Sequence, residues 1–446
     1  MRYLPHTQED IAGMLAAVGA SSLDALFEVI PPESRRETPL NLPPPMTEWE
    51  LAKHIEGLAE QGGANWQVFV GAGSQAHHIP AIVPYLASRS EFLTSYTPYQ
   101  PEMSQGTLQA IFEFQTLISR LTGLDVTNAS MYDGSTAMAE GAIMAQRVTK
   151  RSTLAVSSLV HPHWVEVLKT YLAPRNEVEV VILPANPDGT TDITPLSKIG
   201  NPAALIMQSP NVLGIIENLS TAAESIHAAG GLLVSGFSEA LALGMIKSPG
   251  SQGADIVFGE AQSLGISQGF GGPTLGLLSC KMEYVRNIPG RLVGMTQDVD
   301  GKRGFVLTLS TREQHIRRSR AVSNICSNAG HCALTASIFM AAVGGTGFRQ
   351  LAQLNLDLAE YMKKELAQIG FTPISDAPTF NEFTMLAPQK FRQQYDELKK
   401  HKILAGLPLA RWYPAMADAW LFGVTETKSK ADIDAFISHI TGGMRP

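Results

Sequence analysis

Cysteine is scarce: 446 residues carry three, at Cys280, Cys326 and Cys332. None falls in a C-x-x-C pair, and an odd count suits a reducing compartment rather than a disulfide framework. Charge is sparse as well, at 17% of residues, and its balance is acidic, with a formal net charge of −7. A nucleic-acid binder needs a basic face to neutralise phosphates, so that class is set aside. The N-terminus lacks the apolar core of a secretory leader, because Glu9 and Asp10 stand there. No uncharged apolar run is expected to reach the roughly 18 residues of a membrane helix. Repeats and low-complexity tracts are missing too. The expectation is a cytoplasmic protein with no membrane and no nucleic-acid partner. Its 44% apolar content, somewhat high for a monomer, points to buried subunit interfaces.

The chain reads in three parts: a helical arm (1–65), a large α/β domain (66–320) and a small α+β domain (321–446). In the arm, Thr7-Gln8-Glu9-Asp10 is a near capping box before apolar residues at helical spacing, Ile11, Met14, Leu15 and Val18. Prolines break the chain before Thr47-Glu48-Trp49-Glu50, a full capping-box pattern opening a helix to about Ala59. Such an arm cannot bury its apolar face alone, so it is expected to wrap another subunit. Next, short apolar runs at 154–156, 178–183, 204–207, 231–234, 256–258 and 275–278 alternate with helical segments at 107–121, 135–148, 163–172 and 221–229. Near-continuous apolar strands between helices predict a buried, mostly parallel sheet. Two helices (329–343 and 348–369) and strands at 382–386 and 419–424 follow.

Several candidate sites weigh against plainer alternatives. Gly71-Ala72-Gly73-Ser74-Gln75-Ala76 matches G-x-G-x-x-A, but Pro80 and Pro84 bar the helix a dinucleotide fingerprint requires, which predicts a surface turn. His77-His78 and His161-Pro162-His163 have no companions at metal-ligand spacing, so no metal is expected and a cleft or interface lining is the reading. The loop 95–109 sets Tyr96 and Tyr99 among Thr97, Gln100, Glu102, Ser104 and Gln105, before a helix start at Gly106. It is either a site, since helix starts favour anions, or an N-cap loop packed on a neighbour. Arg312, His315, Arg317, Arg318 and Arg320 form either a carboxylate-binding group or a charged helix face at an interface.

The alternation resembles the aspartate-aminotransferase fold (fold type I) of pyridoxal-phosphate transferases, and three of that fold's cofactor positions read wrongly here. The turn after 256–258 should carry the cofactor lysine; it reads Ala261-Gln262-Ser263. The acid that faces the pyridine nitrogen and keeps the ring an electron sink is replaced by Ser235, and Glu239 does not substitute. The turn that should cradle the phosphate opens with Asp133, whose carboxylate repels a dianion. The nearest lysines, Lys247 and Lys281, lie outside the turn and read as solvated.

Longer motifs name a family. "YTPYQPEMSQGTLQAIFEFQTLISRLTGLDVTNASMYDGSTAMAEG", "GFGGP", "PGRLVGMTQDVDGKRGFVLTLSTREQHIRRSRAVSNIC" and the opening "MRYLPHTQEDIAGMLAAVGASSLDALF" together resemble the glycine dehydrogenase (decarboxylating) subunit 1 family. These chains are the α subunits of the bacterial glycine cleavage system P-protein. The resemblance runs from Met1 to about His331, and more loosely beyond. It implies an α2β2 assembly in which β binds pyridoxal phosphate and this chain binds no cofactor. It implies decarboxylation of glycine with release of CO2, and transfer of the aminomethyl group to the lipoyl arm of H-protein. It also implies that the loop with Tyr96, Tyr99, Gln100, Glu102, Ser104 and Gln105 shapes the substrate tunnel, with the segment from Arg312 to Ile325 a second, more structural candidate. Two alternatives stay open: an autonomous pyridoxal-phosphate lyase or transaminase with a displaced lysine, and a scaffold that only stabilises β.

Overall fold

Two capping boxes open the first two α-helices. Thr7 Oγ1 accepts from the Asp10 amide at 3.2 Å and Asp10 accepts from the Thr7 amide at 2.8 Å, starting α1 (Gln8–Val18). Thr47 and Glu50 repeat the exchange at the start of α2 (Glu48–Gln61). These helices belong to a first compact unit, Met1–Ala64, and neither has a buried side chain. The structure, a computed structural model, describes residues 5–36, 38, 40–62, 65–94, 96–325 and 327–442. Ser95, the first residue of the polar loop, and Cys326 lie outside the described residues, as do the first four positions of the opening motif.

The second unit, Asn65–Pro446, holds the alternating region. After β1 (Gln67–Val68), α3 (Ile82–Ala87) and α4 (Ser90–Leu93), the order is α5 (Gln105–Thr122), β2 (Val126–Thr127), α6 (Gly134–Thr149), β3 (Thr153–Ser157), α7 (Pro162–Leu172), β4 (Glu179–Leu183), β5 (Ala204–Gln208), α8 (Leu219–Ala228), β6 (Leu232–Phe237), β7 (Ile256–Glu260) and β8 (Gly276–Cys280). One seven-stranded sheet results, ordered β2-β8-β7-β6-β5-β3-β4. The five strands from β7 to β4 are parallel; β8 runs against β7 and β2 against β8. Strand residues alternate between two cores. Ala155, Leu205, Leu233 and Val257 face one; Leu154, Ile206, Val234 and Ile256 face the other. That two-sided burial is why the strands read as continuous apolar runs.

The hairpin of β9 (Leu292–Gln297) and β10 (Arg303–Thr308) lies on α5 through Leu108, Val293 and Phe305. Two α5 glutamines fix it. Gln105 bonds the amide and the carbonyl of Phe305, both at 2.9 Å. Gln115 does the same to Val293, at 2.9 and 3.0 Å. The arginine-rich segment that follows is not one charged helix face. It breaks into a turn at Ser310–Arg312, α9 (Gln314–Arg317) and a second turn at Arg318–Arg320.

α10 (Gly330–Gln368) joins the two helices expected there, with a non-helical residue, Gly344 (φ 65°), at the bend. It corrects the expectation about membrane spans, because it is long and apolar enough to cross a membrane by length and composition. Both halves are engaged by protein: Ala333, Ala336 and Phe339 join the core under the large sheet, and Ala359, Met362 and Leu366 join the C-terminal core. That core lies under the antiparallel strands β11 (Thr372–Pro373), β12 (Glu382–Leu386), β14 (Leu407–Pro408) and β15 (Ala419–Gly423), with α11 (Gln389–Lys400) and α12 (Lys430–Thr441). β13 (Ile403–Leu404) pairs with β1 instead.

Candidate functional site

In open α/β sheets ligands bind outside the carboxyl ends of the parallel strands. Here that crevice is filled from within. Gln262, at the place of the fold's lysine, is 6% exposed. Its Nε2 donates to the Ile266 carbonyl at 2.7 Å, and its Oε1 accepts from the Gln75 amide at 3.1 Å and from Ser74 Oγ at 3.3 Å. Ser263 is buried beside it, and Ser235 is fully buried on β6 with its hydroxyl unpartnered among the described residues. The glycine turn of residues 71–76 is therefore a turn, as expected, but not a surface one. It enters the crevice, where Gln75 is buried and the Ala72 amide donates to Glu382 at 2.5 Å.

The phosphate cradle is occupied by side chains of this chain. Asp133 caps α6, accepting from the Thr136 amide at 2.7 Å and from Ser135 Oγ at 2.6 Å. Glu260, at the end of β7, accepts from the Gly134 amide at 3.1 Å and from the Gln262 amide at 3.0 Å. Burial pushes its carboxyl up to about 7, with the hydroxyl of Thr274 and the Gly134 amide working the other way. A Cβ at Gly134 would lie 2.7 Å from the Trp164 indole, so glycine is required for this approach. A phosphate dianion would meet the Asp133 carboxylate and the Glu260 carboxyl at a helix start whose Gly134 and Thr136 amides are already engaged. With no lysine in the turn and no acid at Ser235, these residues do not fit pyridoxal phosphate.

A buried charge cluster spans the same crevice. His77 Nε2 lies 3.0 Å from Glu239 and Nδ1 lies 2.9 Å from Glu426, with 2% of its side chain exposed. Burial opposes its charge, but the two carboxylates outweigh burial and raise the imidazole to about 10. Asn355 of α10 also donates to Glu426, at 2.9 Å. Glu239 is thus held by His77. His161 bonds the Ala72 carbonyl through Nε2 at 3.0 Å, and burial lowers it to about 4. His163 stacks edge-on against the rings of His161 and Trp412. Among the described residues no group of three or more His, Cys, Asp or Glu is placed to hold a metal.

The lysines separate clearly. Lys281 is not merely solvated: it pairs with the buried Asp255. Asp255 precedes β7 and Gln262 follows it, so Lys281 stands at the opposite edge of the sheet from the turn. Lys247 is exposed.

The polar loop borders a separate cavity of about 510 Å³, lined by Tyr96, Thr97, Ile111, Arg291, Ser327 and His331 among others. Tyr96 is 87% exposed and its hydroxyl lies 2.7 Å from Ser327 Oγ. Tyr99 Oη accepts from Arg291 at 2.9 Å. Gln100 and Glu102 are exposed and make no side-chain hydrogen bond among the described residues. Ser104 takes the N-cap position of α5 without a side-chain cap bond, and Gln105 is engaged by β10. Arg312 is buried with all three nitrogens on backbone carbonyls, those of Leu309, Ile288 and Gly290. Sequence reasoning passed over Arg291, Glu260 and Glu382. Each had a signal: a lone charge inside or closing an apolar run, as in "GRLVG", "IVFGE" and "NEFTML".

Known proteins are similar to this chain along nearly its whole length. The family model "Glycine cleavage system P-protein" matches residues 1–440. The probable glycine dehydrogenase (decarboxylating) subunit 1 of Desulfotalea psychrophila is 51% identical over 443 residues, covering 99% of this chain and 98% of that protein. Its namesake in Sphingopyxis alaskensis is 48% identical over 98% of both chains. A crystal structure of glycine decarboxylase (P-protein) of the glycine cleavage system, in inhibitor-bound form, superposes with a TM-score of 0.91 at 42% identity over 100% of both chains. A NifS-like protein (TM-score 0.61, 12% identity, 84% of this chain and 98% of that chain) shares the fold alone.

Proposed function

The chain belongs to the glycine cleavage system P-protein family, and on that premise we propose that it is the subunit of glycine decarboxylase that binds no cofactor. Its role lies in the glycine cleavage system, as a glycine dehydrogenase (decarboxylating) subunit. The observation that carries the proposal is the crevice: Gln262 in place of the lysine, with Asp133 and Glu260 on the α6 amides. Pyridoxal phosphate belongs to a homologous β partner in an α2β2 cytoplasmic assembly, and lipoylated H-protein receives the aminomethyl group when CO2 leaves.

On this reading the exposed side of Tyr96, Tyr99, Gln100 and Glu102 borders the path of substrate or lipoyl arm beside the partner's active site. Gln105 and Arg312 hold the loop's surroundings. The arm (1–65) embraces the partner, and the division at residues 320–321 separates the sheet domain from the small domain. Reconstitution tests this. Glycine–bicarbonate exchange should require this chain, the β partner and H-protein together. Full exchange by β with H-protein, or by this chain with H-protein, would refute it.

A further inference from the structure

Arg291 differs from its buried neighbour Arg312 in what its nitrogens reach. It is 6% exposed and lines the cavity of about 510 Å³ beside the Tyr96 loop. Nη2 donates to Tyr99 Oη at 2.9 Å. Nη1 reaches Thr97 Oγ1 only at 3.5 Å, the outer limit of a hydrogen bond. Nε is buried with no hydrogen-bond partner among the described residues and pairs with the Glu313 carboxylate only at 3.8 Å. Glu313 does not line the cavity. A guanidinium presents five N–H donors, and a buried donor without a partner is costly. The rest of the wall is largely apolar, with Phe92, Leu93, Ile111 and Phe114 along it. Arg291 thus stands in the wall of an apolar hollow with Nη1 held only by the 3.5 Å contact, which matches a molecule with an anionic head and an apolar body.

We propose that this cavity binds a carboxylate with a short apolar tail, its head on the Arg291 guanidinium and its tail along Phe92, Leu93 and Ile111. A carboxylate suits the planar fork of arginine. Glycine has no such tail, so this ligand is not the substrate, and the site stands or falls apart from the decarboxylase reading.

The test is calorimetry on the purified full chain, with hexanoate, acetate and hexanol as probes. Hexanoate should bind at least about tenfold tighter than acetate, which lacks the tail, and than hexanol, which lacks the charge. Arg291→Met should weaken hexanoate by about tenfold or more, and Arg291→Lys by less. If Arg291→Met fails to fold, Ile111→Trp fills the hollow, leaves the guanidinium in place and should abolish binding. Absence of hexanoate binding, equal affinity for hexanol, or unchanged binding in Ile111→Trp would overturn the proposal.

Discussion

The amide of Gln75 donates to Oε1 of Gln262 at 3.1 Å, joining the glycine turn to the place where this fold elsewhere carries a lysine. The glutamine is built into the crevice, so restoring the lysine alone should not restore a cofactor site. Gln262→Lys is expected to lose the bonds to Gln75 and Ile266, at about 1–3 kcal/mol of stability. It should still show no protein-bound aldimine band once free pyridoxal phosphate has been removed. A cofactor spectrum in that variant would mean the cradle is open.

Two buried glutamates should each make stability fall as pH rises. Burial raises Glu260 and Glu382 to about 7, above the ordinary value near 4.3. Between those values the folded state keeps protons that the unfolded state releases, so stability declines over that window, by on the order of 3 kcal/mol per group. Urea unfolding from pH 4 to 8 measures it. Glu260→Gln should fall less steeply than wild type over this window, and an unchanged slope would contradict the burial argument; His161, which burial holds neutral down to about 4, works in the opposite direction in both proteins.

Much of this architecture was legible because it rests on period and burial. β3 to β8 fell where the apolar runs stood, and the capping boxes at Thr7 and Thr47 gave the starts of α1 and α2. β2, two residues long, offers no period to read. The missing lysine was visible as a letter. What replaces it was not, because Gln75, Glu260 and His77 meet there only through tertiary contacts with residues more than a hundred positions away. Arg312 and Arg291 look alike in sequence, and only the carbonyls around Arg312 separate them.

His77 should act as a structural cation. Removing it as His77→Ala leaves Glu239 and Glu426 buried without a counter-charge, a loss of about 3 kcal/mol or more. In the wild type its contribution is full below its ordinary value of 6.5 and fades as pH approaches about 10. Denaturant midpoints at pH 6 and pH 9.5 check both statements. A variant as stable as wild type at pH 6 would rule out the clamp.

The polar loop should matter to turnover rather than to folding. Tyr99→Phe removes the acceptor of Arg291, and Glu102→Gln neutralises an exposed carboxylate, neither of which lies in a core. In the assembled enzyme each is expected to slow glycine–bicarbonate exchange by about tenfold, or about 1.4 kcal/mol, with assembly unchanged by sedimentation. Unaltered exchange in both variants would leave the chain a scaffold.

The most direct test asks which chain carries the cofactor. The assembled enzyme, loaded with pyridoxal phosphate, is reduced with borohydride, and the labelled lysine is located by mass spectrometry. Label is expected on the partner chain and none on this one. Label on Lys281, Lys247 or any other lysine of this chain would contradict it.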